Sequence, residues 1–97
     1  MSERPKAQGR LIEENDRVAI REWRFAPGAE TGWHVHERDY VIVYRTPASH
    51  LVETLEGGIR VEAAEGHSYF RPRGVEHNVV NAGDHEVVLM EIELKDQ

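Results

Sequence analysis

The sequence predicts an all-β fold, and three observations carry that expectation. Short runs rich in Val, Ile, Tyr, Phe and Trp recur along the chain, turn residues separate them at regular spacing, and no stretch sustains the apolar period of a helix. The organised part begins near Leu11; residues 1–10, polar and holding Pro5, are expected as a mobile arm or a swapped N-terminal segment that docks elsewhere. Val18 to Phe25 is the first run, closed by Pro27-Gly28. Thr31 to His36 is the second and Tyr40 to Arg45 the third, which Pro47 ends because proline has no N–H for a strand ladder. His50 to Leu55 and Ile59 to Ala63 flank Glu56-Gly57-Gly58 as a hairpin. Gly66 turns the chain into His67 to Phe70, the Arg71-Pro72-Arg73-Gly74 loop leads to Glu76 to Val80, and Asn81-Ala82-Gly83-Asp84 is a second hairpin turn. Glu86 to Leu94 is the last strand, with Val88, Met90, Ile92 and Leu94 on one face. About eight short strands so spaced point to one small sandwich or barrel over residues 11–97, with no internal linker or repeat.

Composition narrows the function. At 97 residues there is room for one domain. Without cysteine there is neither a disulfide framework nor a thiolate site, so a metal would have to be held by His, Asp, Glu or Tyr. The 18 acidic and 12 basic residues give a net charge of −6, the wrong balance for a nucleic-acid partner. No apolar window is long enough for a membrane span, and residues 1–20 lack the apolar run of a signal peptide, so a soluble cytoplasmic protein is expected.

Six histidines in such a chain is a high count, and their spacing is informative. Residues two apart on a strand share a face, so His34 and His36 project together with Val35 pointing away. Two imidazoles so placed form half of a metal site, or simply a solvated polar face. They sit in a longer frame: Gly28, five residues, His34, one residue, His36. A second frame runs Gly66, five residues, Pro72, one residue, Gly74, two residues, His77, three residues, Asn81.

These two strings resemble the paired motifs of the cupin family. The second matches at all five anchors and the first at its glycine and both histidines, spanning over half the chain. The run Trp23-Arg24-Phe25-Ala26-Pro27-Gly28 leading to Trp33-His34, with Tyr69-Phe70-Arg71-Pro72 leading to Glu76-His77-Asn78-Val79-Val80-Asn81, resembles the small single-domain cupins labelled as β-alanine degradation proteins. That label is a pathway association and specifies no reaction. The resemblance implies a cupin-type jelly-roll barrel of antiparallel strands, with one divalent metal ion held by His34, His36 and His77. It also implies pairing of two copies as a homodimer.

Two departures from the family pattern change the expected chemistry. The first motif ordinarily supplies a glutamate ligand four or five residues after its second histidine, where this chain has Tyr40 and Val41, with Asp39 just before. The glycine that closes the motif is replaced by Pro47. Three neutral imidazoles leave the charge of a dication uncompensated, which favours an anionic ligand or water in the open positions. Tyr40, if strand parity holds from His36, offers a pocket hydroxyl; a bulge would bring in Asp39.

The remaining histidines, His50, His67 and His85, are expected as surface polar residues, Trp33 on the outer face, and Asn81 as a turn residue satisfying local backbone groups. Arg21, Arg24, Arg45, Arg71 and Arg73 are the cations available to recognise a carboxylate. Two functions compete. One is an enzyme acting on a small anionic metabolite: iron would suggest an oxygenase, similar to the three-histidine thiol dioxygenases, whereas zinc, manganese or nickel would suggest a lyase, isomerase or hydrolase. The other is a non-catalytic metabolite-binding module or a barrel braced by its metal. A metal-free structural domain would need all three histidines to be accidental.

Overall fold

β-Branched and aromatic side chains alternate with polar ones through most of the chain, and a computed structural model shows what that alternation builds. It describes residues 3–95; the outermost residues of the arm and of the domain, 1–2 and 96–97, lie outside the described residues. Nine strands form two antiparallel sheets: β1 (Gln8–Glu14), β2 (Val18–Phe25), β3 (His34–Val35), β4 (Tyr40–Tyr44), β5 (Ala48–Thr54), β6 (Gly57–Ala63), β7 (Ser68–Arg71), β8 (Glu76–Asn81) and β9 (Val87–Leu94). One sheet runs in the order β1-β2-β9-β4-β7 and the other β3-β8-β5-β6, a jelly-roll arrangement in which the inner faces enclose a common interior. No described helix is long and apolar enough to cross a membrane.

Tyr40, Ile42 and Tyr44 occupy alternate positions of β4 and all point inward, where they pack with Phe25, Ala29, Ala48, Val87 and Leu89. On β9 the inward residues are Val87, Leu89, Glu91 and Glu93, while Val88, Met90, Ile92 and Leu94 share the opposite, outer face. Register shows why: Phe25 lies opposite Val87 and Tyr44 opposite Leu89, so the neighbouring strands fix the parity of β9. On that outer face Val88 is buried and Met90, Ile92 and Leu94 are half-buried, with Ile20 and Val41 flanking Ile92 in the sheet.

The strand β1 has no counterpart in the sequence reading over Gln8–Arg10. Residues 4–10, expected as a mobile arm or swapped segment, lie along their own chain: Gln8 to Arg10 pair with β2, Ala7 N–H donates to the Glu30 carbonyl, and the Arg4 guanidinium reaches Glu30 and Glu53. The hairpin turn between β5 and β6 falls on Leu55-Glu56, and Gly57, with φ of 114°, opens β6.

Two sets of contacts knit the motif segments together. Asn81, 1% exposed, donates its side-chain amide to the carbonyls of Phe25, Ala26 and His85 and accepts from Gly83 N–H. Its backbone exchanges bonds with Gly28 and Ala29. The predicted role, satisfying local backbone groups, is the one it plays, from a buried position. At the other end, Gly74 N–H donates to the His36 carbonyl while His36 N–H donates to Val75, so the Gly74 turn clamps the backbone of His36. Gly74 has φ of 97°, a region closed to side chains, and a Cβ there would meet nothing within 4 Å. Gly74→Ala is therefore expected to lower stability by about 1–2 kcal/mol through backbone strain alone; urea melts of the two proteins would check it.

Candidate metal centre

His34 lies on β3 directly opposite His77 on β8, and His36 follows one residue beyond β3. Strand parity turns His34 and His36 to the same side, and pairing brings His77 to meet them. His34 Nε2 is 3.0 Å from His36 Nε2, which is 3.2 Å from His77 Nε2. One nitrogen from each histidine lies within 4.8 Å of the others, so the three could hold a metal ion. The backing contacts favour that use. His34 Nδ1 is 2.8 Å from the Gly32 carbonyl, which can only accept, so Nδ1 carries the proton and Nε2 offers its lone pair to the cluster. Burial, reinforced by His34, pushes His36 and His77 down to about 4, so both are neutral and available as ligands at physiological pH.

The cluster opens into a cavity of about 530 Å³, well within the range of roughly 300–1,000 Å³ for small-ligand sites. Tyr40 lines it: 2% exposed, with its ring stacked on His36 at 3.9 Å between centroids and its hydroxyl pushed upward in pKa by burial. Asp39 is turned to the loop after β7, where its carboxylate accepts from Arg73 N–H at 2.8 Å. Trp33, on the outer side, donates to Glu76.

Sequence reasoning missed Glu91. It is 9% exposed, accepts from Trp23 Nε1 at 3.1 Å, and brings its second oxygen to 3.6 Å from His36 Nδ1. Burial raises its pKa above the ordinary carboxylate value, with Trp23 opposing. Glu93 also lines the cavity and pairs with Arg21 at 2.7 Å. Alternation along β9 would have revealed both carboxylates had the parity been set from Leu89.

His50 corrects an expectation, since it is 1% exposed rather than a surface residue. Its ring sits 5.1 Å from that of Phe25, its Nδ1 is 3.2 Å from the Tyr44 hydroxyl, and burial pushes its pKa down to about 4. His67 and His85 are exposed, as expected. Of the arginines singled out, Arg21 reaches the cavity wall; Arg24 pairs outside with Glu22 and Glu86, and Arg71 lies over the Tyr69 ring. Arg38, on the exposed rim, lines the cavity as well.

Comparison with known proteins agrees with the motif frames. The family model described as the cupin domain matches residues 21–93. The chain is a cupin. It is 52% identical over 95 residues to the β-alanine degradation protein BauB of Pseudomonas aeruginosa, covering 98% of this cupin and all of that protein. A cupin domain from Bordetella pertussis, solved by crystallography, is 49% identical and superposes with a TM-score of 0.96, covering 99% of this chain and 100% of that one. The polyketide cyclase RemF of Streptomyces resistomycificus, 22% identical, has a TM-score of 0.75 over 98% of this chain and 71% of its own, a likeness of fold alone.

Proposed function

We propose that this cupin holds one divalent metal ion on His34, His36 and His77 and uses it to bind, and act on, a small anionic metabolite. The observation that carries the reading is the convergence of three imidazole nitrogens, from two distant segments, in the lining of a ligand-sized cavity. A bound iron, zinc, manganese or nickel ion would supply Lewis acidity toward a substrate oxygen and, as iron(II), access to dioxygen chemistry. The chain's own groups orient the ligand: Tyr40 and Tyr69 present phenols to the cavity, and Arg38 offers a cation at its rim. The name of the Pseudomonas relative supports a substrate among β-alanine and its simple carboxylate derivatives.

Metal analysis of purified protein is expected to give about one equivalent of a divalent transition metal per chain. Oxygen-uptake assays with iron(II) and thiols or β-amino acid derivatives would then test turnover. Protein that neither carries nor takes up any of these metals would sink the proposal. A braced barrel is the second reading, favoured by the shortness of β3, a two-residue strand paired to β8 through His34 and His77. For that role, removing the metal would lower the melting temperature by several degrees while no substrate turned over. The proposal includes a homodimer, supported by the outer row of Ile20, Ile92 and Val41 across β2, β9 and β4. Light scattering on the same sample would read twice the chain mass of 11.1 kDa.

A further inference from the structure

This inference rests on the proposed metal site and concerns a residue that does not touch the metal. The family's motif places a carboxylate ligand soon after the second histidine, and this chain has Tyr40 there, its ring stacked on His36. The phenol is neutral, so a dication on three neutral imidazoles would keep both of its charges. A carboxylate nevertheless stands beside the cluster. Glu91, arriving from β9, is buried behind His36 on the side opposite the other two histidines' Nε2 atoms.

For His36 to donate its Nε2 lone pair, its ring proton must sit on Nδ1, and Nδ1 faces Glu91 Oε2 at 3.6 Å, just outside hydrogen-bond length. The carboxylate is itself held, because Trp23 Nε1 donates to Oε1 at 3.1 Å. Trp23 is in turn fixed by Gly9 on β1, where any Cβ would come within 2.7 Å of the indole. We infer that Glu91 is a positioning residue that replaces the absent motif glutamate from the second layer, fixing the His36 tautomer and returning one negative charge to the site. Carboxylate, imidazole and cation in series polarise the imidazole and strengthen it as a ligand.

The experiment is metal affinity of the full chain, read with zinc(II) and cobalt(II) in competition with a chromophoric chelator. Glu91→Gln, which keeps shape and removes charge, is expected to weaken both metals by about 10- to 100-fold, with Glu91→Leu at least as damaging. The cobalt(II) absorption bands are expected to shift in both variants, while the melting temperature of the metal-free Glu91→Gln protein stays near that of wild type. A merely structural role would move the melting temperature and leave the spectrum alone. Trp23→Phe removes the anchor without altering the carboxylate, and is expected to weaken binding severalfold; it keeps the test decisive should Glu91→Leu fail to fold. Wild-type affinity and spectra in Glu91→Gln and Trp23→Phe would overturn the role of Glu91 while leaving the three-histidine site standing. Wild-type protein that binds neither metal would overturn both.

Discussion

His77→Ala is expected to abolish stoichiometric metal binding, the largest effect of any single substitution in this protein. Loss of an outer partner costs a metal site about 10- to 100-fold in affinity, and loss of a ligand must cost more, so the fall is expected to exceed about 100-fold. The two remaining histidines, adjacent on one short segment, cannot close around an ion from opposite sides. His77 is the one proposed ligand that comes from β8, where it pairs with His34 of β3. His67→Ala is the matched control: that histidine is exposed, lies away from the cluster, and is expected to leave occupancy unchanged. Elemental analysis of the two variants after identical metal loading checks the prediction. Full occupancy in His77→Ala would remove His77 from the ligand set.

Much of this site could be read before any coordinates, and the reason is geometric. The two-residue period of a strand makes His34 and His36 neighbours whatever the rest of the chain does. Glycines at positive φ mark where the backbone must turn, as Gly28 and Gly74 do at 82° and 97°. Readings that depended on a second strand fared worse. Alternation shows that β9 has two faces without showing which is inward, and a cavity that needs polar groups reverses the usual assignment by placing Glu91 and Glu93 inside. His50 was misread for a related cause. A histidine near the start of a strand is ordinarily solvated, and only the register of β5 against β8, which sets His50 opposite Asn81, carries it under Phe25 and Tyr44. The strand β1 is exposed along its whole length, so no hydrophobic pattern announces it; backbone pairing with β2 holds it in place.

Acid is expected to destabilise the metal-free protein by forcing protons onto its buried histidines. His50 has an ordinary value near 6.5 and is pushed down to about 4 by burial, and His36 and His77 are pushed equally far by burial and by His34. A depressed folded-state value means that, between about 6.5 and 4, the unfolded chain takes up protons that the folded chain refuses. Stability is therefore complete above 6.5 and is lost as pH falls toward 4, at about 1.4 kcal/mol per pH unit for each such histidine. His36 and His77, in contact with each other, titrate as a coupled pair whose contributions do not simply add. Against a total of about 5–15 kcal/mol for a small domain, a loss at this slope moves the unfolding midpoint toward this range. Urea melts in a chelator at intervals from pH 7 to pH 4 would measure the slope. His50→Gln isolates one contribution. The glutamine cannot take up a proton, so the slope of stability against pH is expected to fall by the equivalent of one proton even if the variant is less stable at pH 7. An unchanged slope would mean that His50 reaches solvent when it is protonated, in contradiction to its burial beneath Phe25. Because metal binding would also require neutral His36 and His77, the loaded protein is expected to resist acid further, releasing its ion and unfolding at lower pH than the metal-free protein.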